Sequence, residues 1–152
     1  MTATVPTPVA APPVSDLAAT WQHILLLHAR VENRLAAALQ RRHGIGLSEF
    51  RALGHLAASP TSELRMQELA DKVGLNQSSV TRLVARLSTA DFAVRDLCPD
   101  DRRGVYTVIT ETGRRRYAEA SRTYEETLNA ALEEARQADP QLAAALTVLG
   151  CR

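Results

Sequence analysis

Residues 69–87, LADKVGLNQSSVTRLVARL, bring together the side chains best suited to one defined chemistry. Gln77, Ser78, Ser79, Thr81, Arg82 and Arg86 are types that read or hold duplex DNA. Arg bridges the two acceptors of a guanine, Gln matches the donor and acceptor of an adenine, and Ser or Thr reaches a base edge or a phosphate. Val80, Leu83, Val84 and Leu87 recur among them at steps of three and four, the apolar face of a helix, which leaves the polar set on its other faces. A helix-turn-helix needs a small residue where two helices touch, a Gly at the turn and a β-branched residue beyond it to fill the shared core; Ala70, Gly74 and Val80 have that spacing. An ordinary helical hairpin with a solvated polar side meets the same spacing, and the segment that follows separates the two.

That segment contains two strand-like runs, 92–97 and 105–110, the second rich in β-branched and aromatic residues (Val105, Tyr106, Thr107, Val108, Ile109). Between them stands PDDRRG, a turn with Arg102 and Arg103 at its tip. A hairpin of this kind directly after a helix-turn-helix has the form of a wing, an arm able to place Arg in a narrow minor groove. The alternative is a solvated hairpin tip, which the doubled Arg, in place of Lys or Gly, favours less.

The remaining elements must carry these two. Ser15 and Asp16 open a long amphipathic helix through Leu17, Trp21, Ile24, Leu25, His28, Val31, Leu35 and Leu39, ending near residue 42 before Gly44 and Gly46. Ser48 is expected to cap a second helix with Phe50, Leu53, Leu56 and Ala57 on its stripe, closed by Ser59 and Pro60. A third helix covers 66–73 and closes at Gly74, and Asn76 caps the fourth. After the hairpin, Thr110 and Glu111 start a long helix with Tyr117, Ala120, Tyr124, Leu128, Ala131, Leu132 and Ala135 in helical period. Asp139 and Pro140 start a short last helix with Leu142, Ala143, Leu146 and Leu149. The expected fold is mainly α with a small β-hairpin wing, in the order four helices, two strands, two helices.

Composition narrows the function classes. With 152 residues, 4% aromatic and 45% hydrophobic, the chain has the size of one domain with a helical core, which excludes an all-β architecture and fits poorly with a two-domain enzyme. The formal net charge of +1 hides an asymmetry: residues 75–116 hold eight basic and five acidic side chains, a balance of +3, whereas 117–152 hold three and six, a balance of −3. Residues 1–14 contain four of the seven prolines and no basic residue, so they read as a disordered tail and not as a signal peptide. No apolar run approaches the ~20 residues of a membrane helix, and Cys98 and Cys151 form no disulfide framework; a soluble, cytoplasmic protein is expected. No triad, phosphate loop or carboxylate pair suggests an enzyme, and no cofactor is implied. His23 and His28, five apart, do not face each other on a helix, so no metal site is expected.

Residues 64–116, with LRMQELADKVGLNQSSVTRLVARL followed by PDDRRGVYTVITETGRRR, resemble the MarR family of winged helix-turn-helix transcription regulators. The likeness extends more loosely to the chain from Ser15 onward. It implies a winged helix-turn-helix domain over 48–110 and a helical dimerisation region over 15–47 and 111–152. The implied partner is double-stranded DNA with a pseudo-palindromic operator, read by a homodimer that acts as a repressor. By position, Ser78, Ser79, Thr81 and Arg82 match the base-reading and phosphate-touching part of the recognition helix, and Arg86 points toward the backbone. Arg103 matches the wing-tip Arg, Asp101 the carboxylate that orients it, and Arg102 a phosphate contact. Where the family usually has Gly after the recognition helix this chain has Asp91, so a slightly strained entry to the wing is expected.

Independently of the likeness, the long helix from residue 110 cannot bury its stripe on a short chain without a partner; the alternative is packing of the terminal helices within one chain. The resemblance also implies a small aromatic effector that weakens DNA binding. Trp21, His28 and Tyr124 are the candidates to line its pocket, with the core as their other destination. Two further alternatives remain: a winged-helix protein-protein interaction module, and a redox-responsive regulator using Cys98, whose thiol stands near Arg95 and Arg102. Redox sensors of the family carry their reactive Cys in the first helix, where this chain has none.

Overall fold

The computed structural model describes residues 15–97 and 104–143. The Ser15 hydroxyl accepts a hydrogen bond from the Ala18 amide at 3.2 Å, and helix α1 runs over Asp16–His43. Gly44 ends it at φ 61, in the left-handed region that glycine enters without steric cost, and its amide donates to the Gln40 carbonyl. Helix α2 spans Leu47–Ala58, which corrects the expected cap: Gly46 holds that position and Ser48 lies within the first turn. Gly46 has no side chain to offer, and the Glu49 carboxylate instead accepts the Gly46 amide at 3.0 Å.

Strand β1, Glu63–Arg65, precedes helices α3, Met66–Val73, and α4, Gln77–Thr89. Strands β2, Ala93–Leu97, and β3, Val105–Ile109, form the hairpin, and helix α5 covers Glu111–Ala138. β1 was absent from the expected order. It lies antiparallel on β3, with Leu64 opposite Thr107, so the sheet has the order β1-β3-β2. A further helix starts at Pro140, where the Asp139 carboxylate accepts the amides of Gln141 at 3.0 Å and Leu142 at 3.3 Å. Leu146 and Leu149, the tail 1–14 and both cysteines lie outside the described residues.

Two packing regions position the site. Leu53, Leu56, Leu69, Val80, Leu83 and Leu87 are fully buried together, joining α2, α3 and α4, and Ala120 of α5 closes the cluster. The second region is the antiparallel pair of α1 and α5: Val31 and Leu35 pack on Ala131, Arg34 pairs with Glu134, and His43 Nε2 lies 2.8 Å from the Thr123 hydroxyl. The N-terminal half of α1 outruns this pairing. Leu17, Trp21, Ile24, Leu25 and Leu26 are exposed there, Leu17 by 82% and Trp21 by 57%. Among the described residues no helix is long and apolar enough to cross a membrane.

Candidate nucleic-acid interface

The turn between α3 and α4 follows from three residues. Ala70 is buried where the helices touch, Gly74 turns the chain at φ 75, and Val80 is fully buried in the shared core. The amide of Leu75 donates to the Ala70 carbonyl at 2.9 Å, closing the turn. The side-chain carbonyl of Asn76 then accepts the Ser79 amide at 2.9 Å and starts α4. Val80, Leu83, Val84 and Leu87 are all fully buried, so the roll of α4 is fixed; burial of each such side chain is worth about 1.5–3 kcal/mol. Rotation of the helix would expose all four at once.

The opposite face is open. Gln77, Ser78, Thr81 and Arg82 are exposed and Ser79 is half-buried. The Ser78 hydroxyl donates to Asn76 Oδ1 at 2.9 Å and the Thr81 hydroxyl to the Gln77 carbonyl at 2.8 Å, so both present lone pairs outward. Arg82 has no hydrogen bond or ion pair among the described residues. Arg86 differs: its Nε donates to Glu49 Oε1 at 2.7 Å, while the other oxygen of that carboxylate holds Gly46. Arg86, expected to face the DNA backbone, thus has its Nε bonded to α2, 37 positions away in sequence, while its side chain stays 55% exposed.

Other basic residues of the 75–116 window also work inside the molecule. Arg114 donates to the Ser62 hydroxyl, and Arg116 donates to the His43 carbonyl and lies over the Phe92 ring. Both tie α5 to neighbouring elements. The surplus of cations in the sequence thus overstates what a partner would meet.

The hairpin leaves the core beside α4. Asp91 takes φ 60, the left-handed conformation anticipated where Asp replaces Gly. The Thr110 hydroxyl donates to the Asp91 carbonyl at 2.6 Å and accepts the Gly113 amide at 3.0 Å, fastening the foot of the wing to α5. The tip, with Asp101, Arg102 and Arg103, and Cys98 beside it, lies outside the described residues.

The structure does not bring the three candidate pocket residues together. Tyr124 stacks on Phe50 with ring centroids 4.8 Å apart and belongs to the core. Trp21 stands on the exposed half of α1. His28 Nε2 lies 3.8 Å from Glu32 Oε1. Glu32 in turn receives both Arg51 nitrogens, Nη1 at 3.0 Å and Nη2 at 2.5 Å. Those hydrogen bonds hold the Glu32 carboxyl below its ordinary pKa and raise that of Arg51. Two hollows of about 500 and 370 Å³ along α1 and α5 are lined by other residues, among them Asn33 and Arg34 in both. Among the described residues, no three His, Cys, Asp or Glu side chains come together as a metal site would need.

Residues 43–104, which run from the end of α1 through α2, β1, α3, α4 and β2 and stop just before β3, match the MarR family. The chain is 33% identical over 72 residues to the HTH-type transcriptional regulator MhqR of Bacillus subtilis, a stretch covering 47% of this chain and 48% of that protein, about half its length. It superposes on Sco3205, a MarR family transcriptional regulator from Streptomyces coelicolor solved in complex with DNA, with TM-score 0.75 and 25% identity, covering 89% of this chain and 87% of that one. A MarR/EmrR family transcriptional regulator from Acinetobacter sp. ADP1 gives TM-score 0.67 and 28% identity, covering 88% and 93%. With its buried turn residues, open recognition face, hairpin and flanking α1–α5 pair, the chain shares the fold of these MarR family regulators, and its residues 43–104 match that family.

Proposed function

We propose that the protein is a dimeric transcriptional repressor that reads a pseudo-palindromic operator in double-stranded DNA and is released by a small aromatic effector. One observation carries the DNA reading: α4 is locked by four fully buried side chains and turns Gln77, Ser78, Thr81 and Arg82, which has no partner among the described residues, outward beside a hairpin. In this assignment residues 48–110 read DNA, with α4 in the major groove and the hairpin tip (Asp101, Arg102, Arg103) at the adjoining minor groove. Residues 15–47 and 111–152 dimerise. The exposed Leu17, Trp21, Ile24, Leu25 and Leu26 support that role, because five apolar side chains on one helical segment need a cover.

Repression follows from the simplest physics of such a dimer, which blocks polymerase by occupying the promoter. The effector acts by favouring a different separation of the two recognition helices. Trp21 and His28 on the open part of α1 are its contacts in this proposal. The relatives are transcriptional regulators, and a regulator that reads DNA acts in the cytoplasm, where the DNA is.

The test is fluorescence anisotropy with the purified protein, using the DNA upstream of its own gene and a scrambled control over a range of salt. Selective binding that weakens steeply with salt is expected. Arg82→Ala should weaken binding and leave the oligomeric state unchanged, and an unchanged affinity would remove α4 as the reading element.

A further inference from the structure

The inner face of the hairpin outgrows the core. Residues directly opposite in an antiparallel pair share a face, so Ala93 with Ile109, Arg95 with Thr107 and Leu97 with Val105 line one side of the β2–β3 ribbon. At the foot this side is sealed, with Ala93 only 1% exposed. One pair outward Thr107 is still buried, its hydroxyl donating to the Met66 sulfur at 3.2 Å, while Arg95 opposite it is exposed. Two residues further Leu97 is 73% exposed. Arg95 therefore stands where the ribbon leaves the core, on the side toward α4. With Gln67 of α3 and Gln77 and Thr81 of α4 it borders a cleft of about 270 Å³.

We propose that this cleft is a subsite for the DNA backbone, and that Arg95 is the cation that holds a phosphodiester there. The proposal rests on the DNA reading above. If α4 lies in the major groove and the hairpin tip at the next minor groove, one sugar-phosphate strand separates the two and must cross between helix and ribbon. The cleft lies on that path.

The chemistry of its walls singles out Arg95. The Thr81 hydroxyl donates its hydrogen bond to the Gln77 carbonyl, so toward the cleft it offers lone pairs, which repel a phosphate oxygen. The Gln67 amide donates to Asp71 Oδ1 at 3.0 Å. Arg65 also borders the cleft, but its Nε donates to the Tyr106 hydroxyl at 2.9 Å and its guanidinium lies 5.4 Å above that ring; Tyr106 points to the other face of the ribbon. Arg95 has no hydrogen bond or ion pair among the described residues, which leaves it to supply the positive charge.

Phosphate contacts are blind to sequence, so the test needs no operator. The full-length chain is titrated, by anisotropy across a salt series, onto a random-sequence duplex of about three helical turns and onto the DNA upstream of its gene. Arg95→Gln should bind both about 3- to 10-fold more weakly at low salt. It should also flatten the dependence of log affinity on log salt by about one unit, whereas Arg95→Lys keeps the wild-type slope. Wild-type affinity and slope in Arg95→Gln, alongside a loss in Arg82→Ala, would overturn the subsite and leave the DNA reading intact. Wild-type binding in both variants would overturn the reading as well. A loss on the upstream DNA alone would make Arg95 a base reader and overturn the backbone assignment. Arg95 is exposed and makes no hydrogen bond or ion pair among the described residues, so both Arg95 variants should melt with the wild type. A slope that Arg95→Lys fails to restore also counts against the proposal.

Discussion

Gly113 sits in the first turn of α5 against the foot of the wing, and replacing it with alanine should be disproportionately costly. A Cβ there would stand 2.0 Å from the Phe92 carbonyl oxygen and 2.9 Å from its carbon, both backbone atoms. Relief requires a backbone movement of about an ångström, either of the strand foot or of the α5 start. Two hydrogen bonds span that junction: Thr110 amide to Phe92 carbonyl at 3.0 Å and Thr110 hydroxyl to Asp91 carbonyl at 2.6 Å. Loss of both removes about 2 kcal/mol, and overpacking adds about 1–3. The gain in helix propensity returns no more than about 1 kcal/mol, leaving a net cost of about 2–4. At this chain length that lowers the melting temperature by about 4–16 °C, which circular dichroism reads directly. Gly54→Ala is the control, since its Cβ would meet the Tyr117 ring at 3.0 Å, a contact with a side chain and not with backbone. If Gly113→Ala melts within a degree or so of the wild type, or no lower than Gly54→Ala, close backbone contact does not set the wing's foot.

Leu83→Ala should destabilise by about 2–5 kcal/mol because its side chain is fully buried under α4, and chemical denaturation would show it. Glu32→Gln should narrow its own gap to the wild type as pH falls. Arg51 depresses the Glu32 pKa, so the stability that the carboxylate adds is complete at neutral pH and fades as pH drops through that lowered value. Both side chains are partly exposed, so the gap at neutral pH is no more than about 1 kcal/mol; melts from pH 7 to pH 3 would reveal it, and a gap that does not change with pH would deny the linkage. Leu25→Asp places a charge on the exposed half of α1 and, under the proposed dimerisation, should shift light scattering to the mass of a monomer with an unchanged helical spectrum.

What the sequence made legible is local. The period of α4 identified all four buried residues and the bounds of α3 were read correctly, because each depends on neighbours within a few positions, whereas the strained turn at Asp91 was expected only from the family likeness. β1 was not legible. Three residues carry no alternation, and Glu63–Arg65 is a strand only because β3 lies alongside to pair with it. The cap at Gly46 was hidden for a similar reason: the group that satisfies its amide belongs to Glu49, and Ser48 looked the better candidate. Long-range pairing escaped altogether. Arg86 finds Glu49 and Tyr124 finds Phe50 across the fold, and no spacing rule links residues so far apart.

The pairing of α1 with α5 also sets a timetable. Arg34 and Glu134 are 100 positions apart, and the contacts between the two helices are of this kind throughout. On a ribosome adding about 5–20 residues per second, α1 emerges some 5–20 s before its partner exists. During that interval Leu17, Trp21, Ile24, Leu25 and Leu26, which stay exposed even in the finished chain, are joined by Val31 and Leu35. Most of the α2–β3 core comes meanwhile from that segment with Leu39 and Ile45, and it too waits for Ala120, Tyr117 and Tyr124 of α5 to complete it. The nascent protein would therefore present an incomplete reading head and an uncovered apolar helix, the form in which a chaperone would first meet it.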